Sequence, residues 1–145
     1  MTVGQVNNSE AIRVLIADDH GLVRNGLRLM LEDESDMLVV GEAGDGVEAL
    51  ALVDELAPDV ILLDISMPPP DGIEVARRLR DKHAPVRVLM LTMHEDPDLV
   101  REAREAGATG YLLKRAAADD LIVAIRTVAG GGSYIHPALD SRNFH

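Results

Sequence analysis

Residues 59–66 of the chain read DVILLDIS, and this stretch decides the fold class. Its centre, from Val60 to Leu63, is apolar at every position, so both faces of the strand that it forms should be covered. Strands buried on both faces are typical of parallel sheets with helices on either side. We therefore predict a central strand over Val60–Ile65, with an acid, Asp64, at its end.

Similar patterns alternate along the rest of the chain. Short β-branched runs predict four more strands, over Arg13–Ala17, Leu38–Glu42, Arg87–Thr92 and Gly110–Leu113. Apolar stripes with a helical period predict five helices, which begin near Leu22, Val47, Ile73, Leu99 and Leu121. The order is (βα)₅, which predicts an α/β fold with a five-stranded parallel sheet and helices on both faces.

Domain boundaries follow from the extent of these patterns. A flexible N-terminal tail is expected over residues 1–11, and a single folded domain over residues 12–132. Residues 133–145 follow a glycine run and are expected to form a C-terminal tail or the start of a linker. No DNA-binding domain is expected within these residues.

The charge is strongly acidic and unevenly placed. Fourteen Lys+Arg against twenty-five Asp+Glu give a formal net charge of −11. The segment Leu29–Ala76 contains thirteen of the acids and no Lys or Arg. Such a block either forms a solvated face or attracts a hard cation. The overall charge argues against direct nucleic-acid binding.

Composition narrows the function classes further. The chain has no cysteine, which excludes disulfides and thiolate metal sites. Two Tyr and one Phe disfavour a base-stacking platform. No apolar run reaches the length of about eighteen residues that a membrane span needs, and the N-terminus does not resemble a signal peptide. We expect a cytoplasmic protein that does not associate with membranes.

Chemically active side chains follow four of the predicted strands. In open parallel sheets, sites lie at the carboxyl ends of the strands, so these residues should converge on one edge. They are Asp18 and Asp19 after the first strand, Asp64 at the third, Thr92 at the fourth and Lys114 after the fifth. Crowded carboxylates repel one another, and oxygen ligands suit Mg²⁺. With a hydroxyl and an ammonium nearby, the set predicts a phosphoryl-accepting site with Asp64 as nucleophile.

Each residue also has a structural interpretation. Asp18 and Asp19 could cap the first helix. Thr92 could be a β-former, Lys114 a solvated charge and Tyr111 a core aromatic. The functional interpretation rests on the joint pattern, because each strand end holds the residue type that the chemistry needs.

The same residues resemble the receiver domain of two-component response regulators. The matching stretches are VLIADDH at residues 14–20, LLDISMPPPDG at 62–72, LMLT at 89–92 and GATGYLLK at 107–114. The phrases VGEAGDG and GGSYIHP are most similar to the NarL/LuxR-type subfamily. The resemblance implies a flavodoxin-like receiver fold and a signalling switch rather than a conventional enzyme.

The resemblance also implies a role for each site residue. Asp64 would accept a phosphoryl group from a sensor histidine kinase in a Mg²⁺-dependent reaction. Asp19, Asp64 and the backbone carbonyl of Ser66 would bind the ion directly, and Asp18 would act through a metal-bound water. Lys114 would pair with the phosphoryl group.

The remaining assignments concern the response to phosphorylation. Thr92 would bond a phosphoryl oxygen and let Tyr111 turn inward, which would remodel the surface formed by the fourth helix, fifth strand and fifth helix. Ser66 and His94 occupy positions that resemble rate-tuning sites; His94 could equally be an ordinary exposed loop residue.

Partners follow from the same resemblance. Members of this subfamily usually control transcription through a C-terminal helix-turn-helix domain, and activated receivers can form homodimers through the first and fifth helices or through the face of the fourth and fifth. Arg24 and Arg28 lie on one face of the first helix and could dock a kinase, or could simply be solvated.

Two stretches depart from the family pattern. Pro68-Pro69-Pro70 should make a stiff loop where the family often has Pro-Gly after the Met. Arg115 stands where the subfamily commonly has Asp; it either attracts a phosphodonor or faces solvent.

Three other function classes share part of this pattern. A haloacid-dehalogenase-type phosphatase would need a second acid at the position of Ser66. A flavodoxin-like flavin carrier would need a phosphate-binding loop in place of Asp18 and Asp19, which repel phosphate. A receiver-like module that acts without phosphorylation remains open, although all the phosphorylation residues are present.

Overall fold

A computed structural model describes residues 11–116 and 118–136 of the chain. Its centre is a parallel sheet with the strand order β2-β1-β3-β4-β5-β6. The strands are β1 (Ile12–Ala17), β2 (Met37–Ala43), β3 (Val60–Asp64), β4 (Arg87–Thr92), β5 (Gly110–Leu113) and β6 (Tyr134–Ile135). The helices are α1 (Gly21–Glu32), α2 (Gly46–Leu56), α3 (Gly72–Asp81), α4 (Pro97–Glu105) and α5 (Ala118–Ala129).

The central position predicted for β3 is confirmed. β3 pairs with β1 on one side and with β4 on the other, and all five of its residues are buried. Its side chains divide between two cores: Ile61 and Leu63 join one, and Val60 and Leu62 join the other. This division is why the sequence shows a continuous apolar run instead of an alternation.

The two cores lie on opposite faces of the sheet. One contains Val53 of α2, Ile73 of α3 and Val100 of α4. The other contains Leu31 of α1 and Ile125 of α5. The helices therefore cover both faces, as the α/β pattern predicts.

The predicted number of five strands is wrong, because the sheet has six. The sixth strand, Tyr134–Ile135, lies in the segment that we expected to be a tail, and it pairs in parallel with Gly110 and Tyr111 of β5. Tyr134 N donates to Thr109 O at 2.9 Å and His136 N donates to Tyr111 O at 3.0 Å. Two residues are too few to produce a periodic signal, so the sequence pattern did not reveal this strand.

The first helix is less buried than its apolar stripe predicts. Among its large apolar side chains only Leu31 is buried, whereas Leu22 is 86% exposed and Leu29 is 58% exposed. No helix within residues 11–116 and 118–136 combines the length and the apolar character that crossing a bilayer requires.

Candidate functional site

The site lies where β1 and β3, which are neighbours in the sheet but not in the chain, reach their carboxyl ends. Ligand sites of open α/β sheets are expected at this kind of reversal in strand order. Asp18 directly follows β1 and Asp64 ends β3; both are fully buried, at 0% exposure. A buried carboxylate is costly unless it is paired, so these two side chains need a counter-charge.

Lys114 supplies that counter-charge from the end of β5. Its Nζ lies 2.7 Å from Asp18 Oδ2 and 3.1 Å from Asp64 Oδ2, and its side chain is only 10% exposed. Neither Oδ2 atom has a partner with hydrogen-bond geometry among the residues that the structure describes. Lys114 therefore neutralises the pair by charge and leaves lone pairs of both carboxylates available to a ligand.

Burial and neighbouring charges act on the pKa values of both Asp64 and Lys114, and they partly oppose each other. Burial raises the pKa of Asp64, and the neighbouring Asp18 adds to the rise, while the backbone N–H of Ser66 and the ammonium of Lys114 oppose it. Burial lowers the pKa of Lys114, but its ion pairs with Asp18 and Asp64 outweigh burial and the net shift is upward. Lys114 thus stays cationic at neutral pH.

Asp19 and His20 complete the acidic end of the site. His20 Nδ1 lies 3.2 Å from Asp18 Oδ1 and 3.1 Å from Asp19 Oδ1. Potential ligand atoms of Asp18, Asp19, His20 and Asp64 all lie within 4.8 Å of one another. The prediction that the three acids converge is confirmed by this geometry. His20 was not among the predicted site residues, although its place directly after the two acids was a signal for it.

Helix capping does not account for the two acids. The N-cap of α1 is His20, and no side chain caps this helix end by a hydrogen bond. Asp18 Oδ1 instead accepts the backbone N–H of His20 at 2.8 Å, within the loop. By contrast, Asp45 and Asp71 do cap α2 and α3, since each accepts a backbone N–H three residues later.

Ser66 contacts the central acid through its backbone. Its N–H donates to Asp64 Oδ1 at 3.0 Å, which leaves Oδ2 on the side of Lys114. The Ser66 residue is exposed. The loop then continues through three prolines, with a cis peptide between Pro69 and Pro70.

Thr92 lies at the end of β4, one strand away from Asp64. It is 3% exposed, and its hydroxyl accepts the backbone N–H of His94 at 3.2 Å. His94 itself is exposed. The hydroxyl is therefore engaged with its own loop.

Tyr111 is buried but its hydroxyl is directed to the opposite end of the sheet. The phenol donates to the carbonyl of Ala108, which precedes β5, and the guanidinium of Arg104 lies 5.7 Å from the ring centroid. Burial raises the pKa of Tyr111, against the effect of Arg104. A cavity of about 270 Å³ beside the ring is lined by Arg104, Thr109 and residues of β6.

The three arginines that the sequence singled out, Arg24, Arg28 and Arg115, are all ion-paired. Arg115 Nη2 lies 2.6 Å from Glu95 Oε1, and both side chains are well exposed. Arg24 and Arg28 both pair with Glu42 of β2, at 3.3 Å and 3.1 Å. Arg24 also reaches the backbone of Asp18, a contact that the sequence pattern did not indicate.

Comparison with known families matches this fold and site to one family. The response regulator receiver domain matches residues 14–126, which is most of the chain. The chain therefore belongs to the response regulator receiver domain family, as its motifs predict.

Individual relatives place the chain in the NarL/LuxR-type subfamily. It is 45% identical over 133 residues to the transcriptional regulatory protein DegU of Brevibacillus brevis, covering 92% of this chain and 56% of the relative. A two-component response regulator of the LuxR family from Aurantimonas sp. SI85-9A1 has a TM-score of 0.86 at 35% identity, covering 90% of this chain and 94% of that one. The signal receiver domain of the putative response regulator NarL from Mycobacterium tuberculosis has a TM-score of 0.82 at 41% identity, covering 84% and 98%.

The relatives in sequence are longer than this chain. It spans between 56% and 60% of the length of DegU and of the response regulator GacA of Pseudomonas viridiflava. The family match makes the chain a signalling domain of two-component systems rather than a conventional enzyme.

Proposed function

We propose that this domain accepts a phosphoryl group on Asp64 and uses it to switch a signalling surface. The observation that carries the proposal is the position of Lys114, whose ammonium lies between the buried carboxylates of Asp18 and Asp64. A cation held at this point can neutralise an arriving phosphoryl group without leaving its place. Preorganised charge of this kind provides most of the catalysis in phosphoryl transfer.

The nucleophile in this proposal is Asp64 Oδ2. Oδ1 accepts the N–H of Ser66, whereas Oδ2 has no partner with hydrogen-bond geometry in the part of the chain that the structure describes. Oδ2 attacks the phosphorus of a phosphohistidine, a new O–P bond forms, and the N–P bond breaks. The leaving imidazole keeps the bonding pair and takes a proton from solvent. The product is an aspartyl phosphate.

The acidic cluster fits Mg²⁺, which would supply a positive charge that binds phosphoryl oxygens. The donors of Asp18, Asp19 and Asp64 are carboxylate oxygens, the ligands that this hard cation prefers, and two of them are buried without hydrogen-bond partners in the described ranges. Asp19, Asp64 and the Ser66 carbonyl would hold the ion directly, and Asp18 would hold it through a water.

The switch in this proposal uses Thr92 and Tyr111. The Thr92 hydroxyl, which now donates to the carbonyl oxygen of His94 at 3.5 Å, would donate to a phosphoryl oxygen instead, and this would loosen its hold on the loop between β4 and α4. Tyr111 would then leave the Ala108 carbonyl and turn towards Thr92, so that the α4–β5–α5 surface changes. Ser66 and His94, which flank the site, would tune the rates of phosphoryl gain and loss. Such a switch is a shift between two packings, one of which binds the phosphoryl group better.

The partners belong to the proposal as well. The phosphodonor would be a sensor histidine kinase in the cytoplasm, and the output would be a helix-turn-helix domain that regulates transcription. DegU is called a transcriptional regulatory protein, which supports this output for relatives of the chain. Phosphorylation would also favour a homodimer, through α1 and α5 or through the α4–β5–α5 face.

The test uses beryllofluoride, a phosphoryl analogue, with Mg²⁺. We expect amide NMR shifts at the ends of β3, β4 and β5 in the wild type and none in Asp64→Asn. The matched control is Asp54→Asn, which changes an exposed acid that pairs with Lys82 at 3.0 Å and lies outside the site. Wild-type shifts that persist in Asp64→Asn, or no wild-type response, would favour a module that acts without phosphorylation.

A further inference from the structure

Arg24 joins the acidic loop to the neighbouring strand. It lies in the first turn of α1, and its side chain is 24% exposed. Its Nη1 donates to the carbonyl oxygen of Asp18 at 2.5 Å, and its Nε lies 3.3 Å from Glu42 Oε1 of β2. A single guanidinium thus contacts the backbone of a site acid and a carboxylate on the edge strand.

With this contact, each polar group of Asp18 has a neighbour that holds it in place. Its N–H donates to Ala43 O at 3.0 Å, its Oδ1 accepts the His20 N–H at 2.8 Å, and its Oδ2 faces Lys114. The carbonyl is the remaining polar group, and Arg24 binds it. Two acids side by side repel each other and their neighbour Asp64, so a loop held at one end only would spread apart.

Arg28 offers a contrast within the same cluster. It lies one turn further along α1, and its Nε is 3.1 Å from Glu42 Oε2. Its other nitrogens donate to Glu32 and to Asn25, both on α1. Arg28 therefore shares the partner of Arg24 on β2, but its contacts among the described residues join it to Glu42 and to α1 and not to the Asp18 backbone.

We propose that Arg24 is a positioning residue for phosphoryl transfer, because its fork holds the Asp18–Asp19 turn in the arrangement that Mg²⁺ needs. The inference rests on the proposed function and deepens it. Guanidinium suits this task because its planar donors can bind two groups at once, whereas an ammonium is a single point charge. Groups that orient metal ligands in this way typically affect affinity by about 10–100-fold when they are changed.

The positive charge of Arg24 and its positioning contacts should have opposite effects on Mg²⁺ affinity. Variants that remove one or both can therefore distinguish the two contributions. The positive charge of Arg24 by itself repels a divalent cation, so losing the charge alone should tighten Mg²⁺ binding. Losing the guanidinium contacts with the Asp18 carbonyl and Glu42 should weaken Mg²⁺ binding. Arg24→Lys keeps the charge and loses the fork, and Arg24→Gln loses both.

The experiment is a calorimetric titration of the folded protein with MgCl₂. We expect the Mg²⁺ dissociation constant to rise about tenfold in Arg24→Lys and to rise also in Arg24→Gln. The matched controls Arg28→Lys and Arg28→Gln should change it by less than about twofold, since a surface ion pair contributes little. Thermal unfolding of each variant checks that it is folded.

The outcomes separate this inference from the proposed function. Wild-type binding that disappears in Asp64→Asn supports the metal site, and unchanged binding in both Arg24 variants would then overturn the role of Arg24 alone. A lower Tm with an unchanged dissociation constant would assign Arg24 a structural role only. Tighter binding in Arg24→Gln would show that charge, not position, dominates. A wild type that does not bind Mg²⁺ would overturn both proposals.

Discussion

Asp64 is an acid at the end of a strand that is otherwise entirely apolar. Its carboxylate is fully buried, and burial is the main cause of its raised pKa. The folded state therefore holds a proton on Asp64 more tightly than the unfolded state does. Ionisation of Asp64 therefore lowers the free energy of unfolding, as is common for reactive groups held in a folded site.

Replacing Asp64 with Asn should stabilise the protein without Mg²⁺ at neutral pH. Because the pKa of Asp64 is raised in the folded state, the wild type loses stability as pH rises from the ordinary aspartate pKa through the folded pKa. We expect Asp64→Asn to gain on the order of 1 kcal/mol at pH 7, and the gain to vanish near the unfolded pKa. Urea unfolding at several pH values measures this.

The control for this prediction is Asp54→Asn. Asp54 is exposed and pairs with Lys82 at the surface, so its replacement should change stability by less than about 0.5 kcal/mol. If Asp64→Asn were no more stable than the control at pH 7, the cost of burying the carboxylate would be offset by Lys114.

At the scale of elements, β6 contributes more than its two residues suggest. It covers the edge of β5 beside the ring of Tyr111, and the backbone N–H groups of Tyr134 and of the following His136 donate to Thr109 O and Tyr111 O. Tyr134 and Ile135 also pack against the two cores from outside. The strand thus connects the segment after α5 to the proposed switch residue.

Removing β6 should destabilise the domain at its β5 edge. A chain ending at Gly132 loses both backbone hydrogen bonds and the contacts of Tyr134 and Ile135, which we expect to cost about 1–3 kcal/mol. Hydrogen exchange at the amides of β5 should speed up in this variant. A chain ending at His136 retains the strand and should behave as the wild type; equal exchange in both chains would show that β6 pairs only weakly.

The contrast between β3 and β6 explains what the sequence could predict. The apolar run of β3 reveals its central position because burial on both faces constrains every residue. The two residues of β6 are half-buried, and they pair with the open edge of β5. That edge is set by the order of strands in the folded sheet, so no local sequence pattern reveals it. The same limit applies within the site: Asp18, Asp64 and Lys114 were predictable from strand ends, whereas the reach of Arg24 to the Asp18 backbone depends on how α1 packs.

At the scale of the whole molecule, the acidic block is balanced by bases from outside it. Arg126 of α5 bonds Glu34 at 2.8 Å and Asp36 at 2.9 Å, and Lys82 pairs with Asp54 at 3.0 Å. These acids are therefore held in ion pairs that connect elements, and the excess behind the net charge of −11 lies in the acids beyond such pairs. The site acids differ, because Asp18 and Asp64 share the one ammonium of Lys114, and Asp19 beside them contacts His20.

Mg²⁺ should therefore stabilise the whole domain. A ligand that binds only the folded state adds about 2.7 kcal/mol of stability at one hundred times its dissociation constant. We expect Mg²⁺ at about one hundred times its dissociation constant to raise Tm by several degrees. NaCl of equal ionic strength should raise it less, and Asp64→Asn should remove the difference. An identical effect of the two salts would indicate that screening alone is responsible.

The distance along the chain between the partners of the site has a consequence for protein synthesis. Asp18 and Lys114 are 114 − 18 = 96 residues apart, yet their charged atoms lie within 2.7 Å. A nascent chain on the ribosome therefore carries its acids long before it has the cation that neutralises them. Until β5 has been translated and has joined the sheet, such a chain has no complete pocket for an anion. Unfinished copies should thus be unable to compete with finished ones for a phosphodonor.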